Sequence, residues 1–159
     1  MTPPHGLGEL CAQYGDPAKC LGLDGHLNSV WQARMVLVPF PAPLPLAWDA
    51  SVQAKAARVH EKVAPEVLAL FTAWDEEGVW KSLTSYGGGY ADRAQRGSTA
   101  KRSVHAWGLA LDFDPVRLAR GITVAPVPRW VEIAEARGWR WGGRFSVPDP
   151  MHVQWAHGY

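Results

Sequence analysis

Apolar residues repeat at helical spacing through the middle of the chain and at strand spacing toward its end. Residues 1–33 scatter Gly, Pro and Asp, and within them Leu7 to Tyr14 can make a turn or two of helix. Met35 to Val38 is a short apolar run that predicts a strand, and Pro39-Phe40-Pro41-Ala42-Pro43-Leu44-Pro45 follows it. Alternate residues there lack an N–H, so an extended connector is expected, neither helix nor central strand. After Trp48, Asp49 or Ser51 can cap a helix whose apolar positions Val52, Ala56, Val59 and Val63 fall at three- and four-residue steps. Pro65 suits the first turn of a further helix that carries Val67, Leu68, Phe71 and Trp74 inward and stops at Gly78.

From Ser82 onward short extended pieces are predicted at Leu83 to Tyr86, Ser103 to His105, Leu109 to Phe113 and Met151 to Trp155. Glycines at 87–89, 97 and 108 break them, and one helix intervenes, about Pro128 to Arg137, with Gly138 as its stop. Helices first and strands later predict an α+β domain, its N-terminal helices packed on a small, mostly antiparallel sheet. Residues 1–48 form an arm and proline-rich connector packed on a core of residues 49–159. With 159 residues, 47% of them hydrophobic, the chain can bury one core, and a monomer is expected.

Charge narrows the partners. Sixteen basic and 15 acidic side chains leave +1, so no long-range field draws the protein to nucleic acid or an anionic membrane. No apolar run reaches about 18 residues, and Met1 to Gly6 lacks the basic and apolar regions of a secretory leader. Synthesis in the cytoplasm is therefore expected. Cys11 and Cys20 match neither a C-x-x-C redox pair nor a usual zinc-knuckle spacing and read as two inert thiols. Trp107, Trp130, Trp139, Trp141 and Trp155 crowd the last third, chiefly as core and pocket-wall rings.

The densest chemical signal is Ser103-Val104-His105-Ala106-Trp107-Gly108-Leu109-Ala110-Leu111-Asp112, with Asp149-Pro150-Met151-His152-Val153-Gln154 far downstream. Two imidazoles and a carboxylate suit one zinc ion, and three protein ligands leave a fourth tetrahedral position for water. In a strand over Leu109 to Phe113, Ala110 and Asp112 share a face, and Gly108 lets the chain turn so that His105 returns to the same ion. In a strand over Met151 to Trp155, His152 and Gln154 share a face, with Gln154 as a hydrogen-bonding support for the ligands. Asp149 is placed to exchange protons with the attacking water and the leaving amine. An arginine just upstream can stabilise an oxyanion, and spacing leaves Arg93 and Arg96 equally eligible. His5, His26, His60 and His157 lack partner spacing, and Asp114 shares the face of Asp112 only if the strand runs through Pro115, so all five read as structural.

These motifs resemble the zinc peptidases that include bacterial D-alanyl-D-alanine carboxypeptidases and dipeptidases and phage L-alanyl-D-glutamate endolysins. The pattern S-x-H-x-x-G-x-A-x-D runs unbroken from Ser103 to Asp112, and Trp141-Gly142-Gly143 precedes Asp149-Pro150-Met151-His152. The resemblance implies one zinc on His105, Asp112 and His152, an acid/base at Asp149, and Arg93, in Tyr90-Ala91-Asp92-Arg93, polarising the scissile carbonyl. Ser103, Tyr90 and Trp107 are then expected near the substrate, a peptidoglycan stem peptide. Aspartate rather than glutamate at 149 tilts the expectation to an endolysin-type L-alanyl-D-glutamate endopeptidase that reaches the wall after release from the cytoplasm. D-alanyl-D-alanine carboxypeptidase and cross-link D,D-endopeptidase are the enzymatic alternatives, and a zinc-stabilised cell-wall binding module is the non-enzymatic one. A facial-triad iron oxygenase usually spaces His and Asp one residue apart, against six here.

Overall fold

A computed structural model of the chain describes residues 1–98 and 101–159. Four α-helices, α1 (Gly6–Tyr14), α2 (Ser29–Gln32), α3 (Ala64–Glu76) and α4 (Arg129–Ala136), accompany six strands. The strands are β1 (Met35–Leu46), β2 (Asp49–His60), β3 (Tyr86–Gly88), β4 (Ala110–Phe113), β5 (Arg140–Trp141) and β6 (His152–Gln154). They form one sheet in the order β2-β1-β3-β4-β6-β5, antiparallel except where β1 meets β3. The fold is α+β.

Two segments differ from expectation. Residues 49–60 are strand, not helix, and they pair along the preceding strand from Met35↔His60 to Leu46↔Asp49. Val52, Ala54 and Ala56 also alternate with Ser51, Gln53 and Lys55, so a period of two was present beside the helical spacing. Tertiary pairing decided between them. The proline-rich stretch is not a bare connector but part of β1. Its register slips between Pro39 and Leu44, so Pro41 and Pro43 lie where the ladder with β2 is interrupted. On the other edge β1 meets β3 only at Leu46↔Tyr86, and missing donors there break little pairing. The hairpin thus joins the arm to the rest of the sheet.

Smaller differences follow the same logic. The strand near Tyr86 begins at Tyr86 instead of Leu83, and residues 104–107 make a 3-10 turn instead of a strand. The Ser103 side chain accepts the His105 N–H, which favours a turn start over an extended run. On α3, Val67, Phe71 and Trp74 face inward, but Leu68 is half-exposed and Leu70 and Ala73 take the inward places. The predicted α4 and its stop are present, with Gly138 at φ +89°.

The core is aromatic. Phe71 meets Phe40 with centroids 5.4 Å apart, and Trp74 meets Phe113 at 5.3 Å and Trp130 at 5.6 Å, all edge to face. The Trp74 indole N–H also donates to the Trp130 carbonyl at 2.8 Å, locking α3 to α4. The N-terminal arm grips the 104–107 turn. Trp31 Nε1 donates to the Ala106 carbonyl at 2.9 Å, and Trp107 Nε1 to the Gly15 carbonyl at 2.8 Å.

His60 sits at 0% exposure between Tyr14 and Trp31, its Nδ1 accepting the Lys62 N–H at 3.1 Å. Burial pushes it down to about 4; Glu61 opposes the shift, and Arg34 and Lys62 add to it. The unfolded chain therefore takes the proton more readily than the folded one. The contribution of this group is fully present above pH 6.5 and is lost as pH drops from 6.5 toward 4, by roughly 3 kcal/mol. Urea midpoints of the parent and His60→Gln compared across that range isolate the contribution. The parent is expected to lose stability more steeply, and parallel curves would exclude the effect.

Candidate metal centre

Strands β4 and β6 place two of the three expected ligands directly opposite each other. Their register pairs Ala110↔Gln154, Leu111↔Val153 and Asp112↔His152, so Asp112 and His152 meet across the ladder. His105 arrives from the 3-10 turn. Its Nε2 lies 3.2 Å from His152 Nδ1 and 3.3 Å from Asp112 Oδ2, while His152 Nδ1 lies 2.9 Å from Asp112 Oδ1. Ligands about 2.0–2.1 Å from a tetrahedral zinc stand about 3.3 Å apart. The three groups have nearly that spacing.

The surrounding hydrogen bonds fix which ring nitrogens carry protons. Gln154 Nε2 donates to the carbonyls of Ala156 at 2.7 Å and Tyr159 at 3.3 Å, so its Oε1 is the atom facing His152. That oxygen can only accept, and His152 Nε2, 2.9 Å away, must donate to it. His105 Nδ1 likewise must donate to the Gly89 carbonyl at 2.6 Å. In neutral imidazoles, His105 Nε2 and His152 Nδ1 are then bare lone pairs turned toward each other and toward a carboxylate. Three acceptors around one point require a cation, and this donor set fits zinc.

Protonation equilibria at the three groups reflect the same need. Burial disfavours an ionised Asp112, but the charges and hydrogen bonds of His105 and His152 outweigh it and hold the carboxyl well below the usual range. Burial alone would lower His152, yet the hydrogen bond and charge of Asp112 hold it above its ordinary value. Positive charge is favoured here, as proton or as metal.

Two glycines make the geometry possible. Gly108 follows the turn at φ +69°, and a Cβ there would stand 2.7 Å from the His60 backbone nitrogen. The Gly108 carbonyl also accepts that N–H at 3.0 Å, binding the turn to β2. A Cβ on Gly142 would stand 2.4 Å from the Asp149 carbonyl, whereas the Gly142 carbonyl accepts the Asp149 N–H at 2.8 Å. Close approach at Gly142 thus seats Asp149 before β6.

An open cleft of about 410 Å³ runs past His152 and is lined by Asp149, Ser103, Gln154, Arg93 and Arg96 among others. Asp149 Oδ1 is buried with no hydrogen-bond partner among the described residues. Burial pushes the Asp149 carboxyl up, Asp112 adding to this while His152, Arg96 and Arg120 oppose it. A proton acceptor of raised affinity beside a metal centre suits acid/base work. A second cleft holds Asp112 with Trp48, Gly87, Pro115 and Met151, and Arg93, Arg96 and Arg120 border both.

Trp107 and Tyr90 lie elsewhere. Trp107 is 2% exposed, packed on Tyr159 and hydrogen-bonded to Gly15. Tyr90 sits under the Arg58 guanidinium at 4.8 Å, outside both clefts. Asp114 accepts the N–H groups of Thr84 and Ser85, each at 2.7 Å, and is structural. Sequence reading missed Arg120, Phe145 and Tyr159, which line the first cleft from segments outside the strands and without motif spacing, and Arg140, which reaches it from β5.

Residues 96–155 match a family model described as D-alanyl-D-alanine carboxypeptidase. The matched segment holds His105, Asp112, Asp149 and His152, supports a metallopeptidase, and begins after Arg93. No curated protein and no solved structure matches the chain.

Gln154→Ala is expected to weaken zinc binding roughly 10- to 100-fold, read by competition with a chromophoric chelator. A loss below about twofold would remove Gln154 from the support of the centre. Because protons and zinc compete for the same lone pairs, affinity should rise with pH. The raised His152 places the onset of weakening above pH 6.5 on acidification, and pH-independent affinity would contradict it.

Proposed function

We propose that this protein is a zinc-dependent peptidoglycan peptidase of the endolysin type, cleaving the L-alanyl-D-glutamate bond of the stem peptide. The observation that carries the reading is the convergence of three lone-pair donors on one point, with Asp149 Oδ1, which has no hydrogen-bond partner among the described residues, beside the adjoining cleft. Bound zinc supplies Lewis acidity, polarising a carbonyl and bringing the pKa of water down to roughly 7. Asp149 accepts the proton of the attacking water and returns it to the leaving nitrogen. Arg93, whose side chain makes no hydrogen bond or ion pair among the described residues, offers N–H donors to the developing oxyanion. Ser103 caps the turn that carries His105 and borders the cleft.

Two clefts that share Arg93, Arg96 and Arg120, one reaching His152 and the other Asp112, offer room for a substrate longer than a single terminal residue, which favours an endopeptidase. On this reading the enzyme meets the wall after release from the cytoplasm. The description of the matched family favours a second reading, removal of a terminal D-alanine.

Digestion of purified peptidoglycan with zinc-loaded protein, followed by mass spectrometry of the new termini, separates the two. New N-terminal D-glutamate is expected; released D-alanine alone would favour the carboxypeptidase. Asp149→Ala should keep zinc and lose roughly 10²- to 10⁴-fold in kcat. Unchanged wall degradation by that variant would remove Asp149 from the mechanism. Arg93→Ala should lower kcat roughly 10²- to 10³-fold and Arg96→Ala far less. The reverse order would transfer the oxyanion role to Arg96.

A further inference from the structure

Four arginines, Arg93, Arg96, Arg120 and Arg140, line the first cleft, and Asp149 is its only acidic side chain among the described residues. Elsewhere the guanidinium groups of Arg102, Arg117, Arg129 and Arg144 each meet a carboxylate. In the cleft, Arg140 lies over the Phe145 ring at 4.7 Å, but the side chains of Arg93, Arg96 and Arg120 make no hydrogen bond or ion pair among the described residues. A protein of net charge +1 thus concentrates unpaired positive charge where substrate must lie.

Arg120 lies next to a residue that is bonded to the segment carrying Asp149. The Leu118 N–H donates to the Asp114 carbonyl at 2.8 Å, and the Gly121 N–H donates to the Pro148 carbonyl at 2.6 Å. The second bond ties the residue after Arg120 to the residue before Asp149. The backbone of Arg120 is therefore held to the segment that carries the proposed base, although its loop shares no motif with it. A planar fork of donors that makes no hydrogen bond or ion pair among the described residues suits a carboxylate.

We infer that Arg120 receives a free carboxylate borne by the carbon that carries the leaving nitrogen, which makes the cleft selective for stem peptides left unamidated there. This rests on the peptidase reading above. Both candidate bonds present that chemistry. In L-alanyl-γ-D-glutamate the leaving nitrogen and a free α-carboxylate share the glutamate Cα; in a terminal D-alanyl-D-alanine they share the last Cα. The carboxylate therefore stands the same number of bonds from the scissile amide in either source. Arg120 acts on substrate affinity and register, leaving proton transfer to Asp149.

The test uses three synthetic stem peptides: one with all carboxylates free, one amidated only at the glutamate α-carboxylate, and one amidated only at the C-terminus. Affinity is measured by tryptophan fluorescence on zinc-loaded Asp149→Ala protein, with and without Arg120→Gln, and KM and kcat on the zinc-loaded parent. Amidation at one of the two positions is expected to raise Kd and KM roughly 10- to 100-fold with kcat little changed. The position that responds identifies the source of the carboxylate. Arg120→Gln should weaken the free peptide by a similar factor and abolish the discrimination, and Arg120→Lys should restore part of it. Equal binding of all three peptides, no binding of any, or discrimination that survives Arg120→Gln would overturn the assignment. Discrimination in binding without cleavage of any peptide would overturn the peptidase reading and leave Arg120 in place. Cleavage without discrimination would do the converse.

Discussion

His105 Nε2, His152 Nδ1 and the Asp112 carboxylate face one another as acceptors because each imidazole has already committed its N–H outward, to Gly89 and to Gln154. That arrangement is repulsive until a positive charge sits among them. Much of the local structure serves to hold it. The β4–β6 register sets Asp112 opposite His152, Gly108 allows the turn that brings His105 back, and two carbonyls orient the Gln154 amide. Low local dielectric raises both the cost of leaving the centre uncompensated and the gain from compensating it.

The chemistry around the centre is asymmetric. One cleft carries Asp149, buried at one oxygen and pushed up by its surroundings, and the other carries the open side of Asp112. Arginines border both. A cationic wall around an acceptor-lined centre suits an anionic ligand.

The aromatic core and the N-terminal arm support this from behind. Trp31 and Trp107 each direct their one indole N–H to a bond between the arm and the 104–107 turn. The arm therefore helps set the position of a ligand that is distant from it in sequence. Crowding of tryptophan in the last third thus reflects packing and anchoring, and Trp107 is buried outside both clefts.

The motif spacing alone pointed to His105, Asp112 and His152, the three groups that the fold brings together, because a strand's period of two and a glycine's freedom to turn are local properties that coordination chemistry reads directly. It also supplied α3, α4 and the α+β class. It could not decide residues 49–60, where helical and alternating spacings coexist and only pairing with residues 35–46 breaks the tie. Nor could it admit prolines to a strand, since that depends on which edge lacks a neighbour. Arg120 and Arg140 reach the cleft from positions set by contacts distant in sequence, and Tyr90 is drawn away beneath Arg58 by the same kind of contact. Identity and spacing along the chain determined what could bind a metal; long-range pairing and burial decided which other groups surround it.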